Sequence, residues 1–230
     1  MRNPLTSLLH LFAPRRCVVC QMPLAGNERY LCTTCDIGMP RTNNHSRREN
    51  SMEKMFWGKI PIERGASYFH YHKGSDYRHI IFRLKYRGQK EIGEEMGRRI
   101  ATELSVSGFF DDIDLIVPIP LHSKRQRSRG YNQSEWIAKG VSSVTGIPLN
   151  TEAVRRGKET ETQTSKSAIT RWDNVRDVFE TIRPDLVAGR HILIVDDVLT
   201  TGSTITSCAS SIMRAANDVR FSVLTMAMAD

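Results

Sequence analysis

No apolar run in this chain approaches the roughly 20 residues that a membrane-spanning helix needs. The opening stretch, MRNPLTSLLHLFAPRRCVVC, has a short apolar patch that Pro4, His10 and Pro14 interrupt. No small-residue cleavage site follows it, so a signal peptide is not expected. LTSLLHLF reads as a short amphipathic helix packed on the body, and it lacks the basic stripe of a membrane-surface helix. No stable membrane insertion is expected. A G-x-x-x-x-G-K-[ST] loop is missing, so hydrolysis of nucleoside triphosphates is not indicated. There is no internal repeat and no long low-complexity tract. Cysteine is scarce, with five in the chain, and acids are the minority, 25 against 33 Lys and Arg.

What remains is an ordinary globular composition, 40% hydrophobic and 25% charged, over 230 residues. That length supports one sizeable core and a small appendage. The net charge of +8 favours polyanionic partners, either nucleic acid or phosphorylated small molecules. Four of the cysteines, Cys17, Cys20, Cys32 and Cys35, form two C-x-x-C pairs separated by eleven residues. Such pairs make tight knuckles that each offer two thiolates to one Zn²⁺, and Pro23, Gly26 and Asn27 let the chain turn back between them. Two disulfides are disfavoured because nothing else points to export, which also places the chain in the cytoplasm. A redox pair is disfavoured because no βαβ setting surrounds it. Four thiolates leave no open position, so the metal is expected to be structural. Cys208 falls in a predicted helix and reads as a small buried residue.

The polar stretch 40–54 reads as a linker or exposed loop. Beyond it, 64–72 is β-prone, and 76–88 and 90–105 have apolar residues at helical spacing, among them Ile80, Ile81 and Leu84, then Ile92, Met96, Ile100 and Leu104. DIDLIVPIP (112–120) is a short buried strand. A helix follows over 132–146, with Asn132 and Glu135 in a capping-box-like start and Gly146 as its stop. HILIVDD is an all-apolar strand ending on two acids, and the chain closes with a helix and a last strand. Apolar strands alternating with helices predict an α/β fold, a parallel sheet covered on both faces.

The stretch ILIVDDVLTTGST (192–204) asks for an explanation. In open α/β sheets, ligands sit beyond the carboxyl ends of the strands. The strand is read as ending at Asp196 and Asp197. The loop Val198, Leu199, Thr200, Thr201, Gly202 leads to a helix starting near Ser203 and Thr204. Backbone N–H groups at a helix start, hydroxyl donors and a glycine that admits close approach would together hold a phosphate monoester. Two acids beside it suit sugar hydroxyls or a magnesium shell. The combination describes a ribose 5-phosphate. This stretch resembles the phosphoribosyl pyrophosphate (PRPP) motif of type I phosphoribosyltransferases. The resemblance implies that Asp196 and Asp197 contact the ribose and that Thr200 to Thr204 cradle the 5-phosphate.

VPIPLHSKRQRSRGYNQSE (117–135) puts Lys124, Arg125, Arg127 and Arg129 on what reads as a loop at the same sheet edge. TETQTSKSAITRWDNVRDVF (160–179) adds Gln163, Lys166, Arg171 and Asn174. With the cysteine segment, these resemble the ComF family, linked to DNA uptake in natural competence, over nearly the whole chain. Segment 160–179 matches the family at Thr160, Gln163, Arg171, Asn174, Val175 and Phe179 and departs from it at Lys166. The implied organisation is a helix and zinc ribbon at 1–40, a linker at 41–63 and a phosphoribosyltransferase-like domain at 64–230. The basic loop has two readings. It stabilises the leaving pyrophosphate of Mg²⁺–PRPP, or it binds phosphates of single-stranded DNA with Tyr131 or Trp136 as stacking surfaces. Stretch 155–172 reads as a mobile hood over the site. Three functions follow: a phosphoribosyltransferase using Asp196 and Asp197, with its acceptor undetermined; a DNA-handling protein whose ribbon and basic loop meet single-stranded DNA or a DNA-uptake helicase; or a PRPP-responsive regulator that binds without turnover.

Overall fold

The computed structural model describes residues 14–157 and 178–229. The expected N-terminal helix and most of the expected hood lie outside them. In chain order the helices are α1 (Thr33–Ile37), α2 (Ser51–Lys54), α3 (Arg78–Tyr86), α4 (Glu91–Ser105), α5 (Ser123–Arg129), α6 (Gln133–Thr145) and α7 (Ser203–Ala215). The strands are β1 (Ile62–Tyr71), β2 (Leu115–Pro118), β3 (Val154–Arg156), β4 (Phe179–Thr181), β5 (His191–Leu199) and β6 (Arg220–Ala229). Four strands form a parallel sheet in the order β1-β6-β5-β2, and β3 pairs antiparallel with β4.

The central strand β5 is apolar on both sides because both faces are covered. Leu193 and Val195 point into a core shared with α3, α4, α6 and the cysteine segment. Ile192, Ile194 and Leu199 point into a second core with α7, β4 and residues 52–60. The helical spacing read from the sequence is the buried face: Ile80, Leu84, Ile92, Met96, Ile100 and Leu104 are all at most 1% exposed. Each such side chain contributes about 1.5–3 kcal/mol of transfer free energy. Helices α4 and α6 cross where Gly97 and Gly140 face each other. A Cβ at Gly97 would strike Ile137 O, and one at Gly140 would strike Glu94 O.

Stretch 40–54 is not the exposed loop that its polarity predicts. A 3-10 turn (Asn44–Ser46) and α2 occupy it, with Asn50 and Glu53 closing a capping box. Met52 and Phe56 are fully buried, and the Glu53 carboxylate accepts from Gly65 N at 3.0 Å. Asn44, Asn50 and Glu53 bond the backbone of β1, which is why composition misread it. Asn44 Oδ1 accepts from Ser67 N at 3.0 Å and Asn50 Nδ2 donates to Gly65 O at 2.9 Å. Cys208 lies fully buried in α7.

Candidate functional site

Strand β5 runs past its two acids to Leu199, rather than stopping at them, because β6 continues beside it. Asp196 pairs with Thr225 and Val198 with Ala227. On the other side β2 ends at Pro118, opposite Val195. Beyond Val195 the sheet therefore opens on one side, and the acids stand at the mouth of that crevice.

The two carboxylates have different settings. Asp196 Oδ1 accepts from Ser134 Oγ at 2.9 Å and from Asp197 N at 2.8 Å. Burial, with the Asp197 charge next to it, pushes the Asp196 carboxyl up to about 7, against those hydrogen bonds and the more distant Lys85. Asp197 is buried and forms an ion pair with Lys85 Nζ from α3 at 3.0 Å. Neither Ser134 nor Lys85 was singled out from the sequence. Lys85 lies four residues after buried Ile81, so it stands on the core flank of α3 where an apolar residue would continue the face. A cation at such a position is the signal that could have found it. Ser134 is held by the start of α6: Asn132 Oδ1 accepts from Ser134 N, and Asn132 Nδ2 donates to Ile119 O at the end of β2. Glu135 makes no capping box. It pairs instead with Lys139 at 2.7 Å.

After Leu199, whose side chain is buried, Thr200 and Thr201 are exposed and the chain turns at Gly202, with φ of 75°, into α7. Thr201 Oγ1 donates to Ser203 Oγ at 3.1 Å. The small residue at 202 has a second cause besides backbone hand. A Cβ there would lie 2.9 Å from Phe56 Cε1, so the supposed linker is the floor of this loop. Ser203 is exposed, and Thr204 and Val198 are half-buried, so the loop presents hydroxyls and N–H groups next to the acids.

The basic stretch is a helix, α5, not a loop. Lys, Arg and Gln are good helix formers, His122 Nδ1 accepts from Lys124 N at 3.2 Å, and Gly130 at φ 79° ends it. Lys124, Arg125 and Arg127 are exposed. Arg129 donates to Gln133 Oε1 at 2.8 Å and lies 5.2 Å from the Tyr86 ring centroid. The helix sits between the end of β2 and the start of α6, on the same edge as Asp196. Tyr131 is not a stacking surface: it is 9% exposed, and its hydroxyl donates to Leu84 O. Trp136 has the Nζ atoms of Lys90 and Lys139 4.7 and 4.6 Å from its ring centroid. Of segment 160–179, the described part is Val178 and Phe179, the latter buried in the second core.

At the other end of α3, Cys17, Cys20, Cys32 and Cys35 bring their Sγ atoms within 4.8 Å of one another. The Cys20–Cys32 separation of 3.7 Å is close to the ~3.8 Å edge of a tetrahedron with Zn–S of about 2.3 Å. Cys32 N donates to Cys17 Sγ and Cys35 N to Cys32 Sγ, which orients the thiolates. The donor set and geometry are compatible with structural zinc. The cluster is tied to the body by Asp36, which pairs with Arg99 at 2.6 Å and Arg41 at 3.1 Å.

The chain is 30% identical over 219 residues to the DNA utilization protein YhgH of Escherichia coli, an alignment that covers 89% of this chain and 93% of that protein. The chain belongs to the ComF family. Two further relatives bear the family's names: competence protein F of Haemophilus influenzae, 32% identical over 130 residues (55% of this chain, 57% of that one), and competence protein ComFC of Bacillus subtilis, 23% identical over 214 residues (91% and 82%). No family model matches the chain. Among solved structures, the glutamine PRPP amidotransferase of B. subtilis aligns with a TM-score of 0.41 and 20% identity, over 58% of this chain and 26% of that one. This ComF-family chain thus spans about a quarter of that enzyme, and so slight a likeness carries no functional weight. Among the described residues, no helix is long and apolar enough to cross a membrane.

Proposed function

We propose that this chain binds PRPP, with Mg²⁺, and acts in the cytoplasm on the use of incoming single-stranded DNA. One observation carries the ligand: Asp196 and Asp197 stand at the open carboxyl end of the central strand, directly before a small-residue loop that Gly202 turns into α7. Carboxylates accept hydrogen bonds from ribose hydroxyls, and the N–H groups and hydroxyls of Thr200–Thr204 suit a 5-phosphate. The cations of α5, on the same sheet edge, would supply countercharge to a pyrophosphate bound there, and Mg²⁺ would come with that pyrophosphate. Zn²⁺ on the four cysteines would serve as a structural clamp. The names of the relatives, DNA utilization and competence, support the DNA role. A DNA-uptake helicase is a partner consistent with that role. Transferase chemistry, with positive charge developing on the ribose next to Asp196 and Asp197, is the activity this site would support if an acceptor binds.

Calorimetric titration of PRPP with Mg²⁺ into the purified chain tests the reading. Binding is expected in the wild type and is expected to be lost in Asp196→Asn/Asp197→Asn. Absence of binding by the wild-type chain would overturn it.

A further inference from the structure

Helix α3 leaves two large rings in water one turn apart, although the other phenylalanines among the described residues are buried. Phe82 is 44% exposed and Tyr86 64% exposed, and their centroids are 5.5 Å apart. Aromatic rings left open side by side on a folded surface mark a binding site more often than chance exposure. Each ring carries a guanidinium: Arg87 lies 5.5 Å from Phe82, and Arg129 of α5 lies 5.2 Å from Tyr86. Beside the rings is a cavity of about 420 Å³, lined by Tyr71, Ile81, Phe82, Lys85, Tyr86 and Val198 among others. Val198 follows Asp197 in the chain, and Lys85 holds Asp197, so the aromatic face and the acidic pair share a wall.

Charge decides the kind of partner. No acid occurs in 77–90, which includes α3, or in 115–134, which includes α5. A surface that joins open rings to cations, with Asp197 beside it paired to Lys85, is complementary to a polyanion that has planar groups of its own. Single-stranded nucleic acid is such a polymer. Its bases are free to lie on aromatic faces, while its phosphates take the guanidinium groups. A duplex has the phosphates but keeps its bases stacked inside.

We propose that Phe82 and Tyr86 form a stacking platform for the bases of single-stranded nucleic acid, with the phosphates on Arg87, Arg129 and the exposed cations of α5. The strand runs along α3 beside the acidic pair. The proposal rests on the single-strand reading above and supplies a stacking surface in place of the buried Tyr131.

Anisotropy of a labelled oligothymidylate of about 20 nucleotides, long enough to cover one binding site, tests it with the full chain. The wild type is expected to bind this strand more tightly than a duplex of equal length. Phe82→Ala/Tyr86→Ala is expected to weaken binding at least about tenfold while leaving the salt slope unchanged, because stacking releases no counterions. Tyr86→Phe, which keeps the ring, should retain affinity. Arg87→Gln/Arg129→Gln should weaken binding and also flatten the slope of log K against log salt by about 1.4, the value for two phosphate contacts to a single strand. Thermal melts of each variant check the fold, and the exposed rings should be removable without loss. Undiminished binding by Phe82→Ala/Tyr86→Ala, or equal affinity for strand and duplex, overturns the platform alone. A wild-type chain that binds no oligonucleotide overturns the platform and the single-strand reading together, while the PRPP titration still reports separately on the acidic pair.

Discussion

Asp196 and Asp197 are adjacent in sequence and identical in chemistry, yet the fold treats them oppositely. Asp197 is given a cation. Asp196 is given burial, a neighbouring negative charge and two donors that do not fully offset them. Its carboxyl ionises near 7 in the folded chain, against about 4 for an unperturbed aspartate. Between those values the folded chain holds a proton that the unfolded chain has released, so this residue makes stability fall as pH rises through the window. Asp196→Asn removes that penalty. The variant is expected to melt higher than the wild type at about pH 8, by on the order of a few kcal/mol, with the gain shrinking toward about pH 5. A gain that does not change with pH would contradict the shifted carboxyl. An acid kept at a cost to stability is what a ligand site requires. The sequence revealed the acids because two charges interrupt an apolar strand. It hid Lys85 and Ser134 because each sits in a helix at least 62 residues away and meets the acids only through the sheet order.

At the scale of elements, local pattern was legible wherever burial is one-sided or complete. Helices α3 and α4 follow from their apolar spacing, and β5 follows from its unbroken apolar run. Two segments were misread for related reasons. The cationic residues of α5 looked like a loop because no apolar face marks a helix with no buried residue. Residues 41–63 looked like a linker because Asn44, Asn50 and Glu53 bond backbone in a stretch that is otherwise polar, and because the apolar series Met52, Phe56, Ile60 begins only at the end of the polar stretch. That series matters to the site. Phe56 packs under Gly202, whose positive φ is strained for any residue with a Cβ. Gly202→Ala is therefore expected to destabilise the chain by roughly 1–3 kcal/mol in denaturant melts. It should also weaken Mg²⁺–PRPP binding, since the loop must shift away from Phe56. Phe56→Ala alone opens the floor and should cost about 3–5 kcal/mol as a cavity. A Gly202→Ala variant as stable as the wild type would show that the loop moves freely and has no rigid floor.

Across the whole molecule, α3 is the beam that connects the parts. It is held to the cysteine segment at two points, with the Tyr77 hydroxyl at its N-cap donating to Cys35 O and Arg83, further along, donating to Gln21 Oε1 at 3.0 Å. Its last turn carries Lys85 to Asp197 and Tyr86 to Arg129. Metal bound by the cysteines would therefore bear on the same helix as the acidic pair. Stripping it with a chelator is expected to lower the melting temperature of the main transition, because Val18, Leu31 and Cys35 belong to the first core rather than to a separate unit. A chelator effect confined to a small early transition would mean that the ribbon melts alone. The same geometry brings the two proposed ligands into competition. The α5 cations stand between the end of β2 and the start of α6, where the proposed function would use them for the pyrophosphate. Through Arg129 they also border the ring of Tyr86. A pyrophosphate on α5 neutralises charge that a DNA strand would otherwise use. Saturating Mg²⁺–PRPP is therefore expected to raise the apparent dissociation constant for an oligothymidylate severalfold, and the oligonucleotide must weaken PRPP by the same factor. Mg²⁺ alone at equal ionic strength is the control. An oligonucleotide affinity that PRPP leaves unchanged would assign the α5 cations to one ligand only, and the salt slopes of Lys124→Gln and Arg125→Gln in the two titrations would then show which ligand holds them.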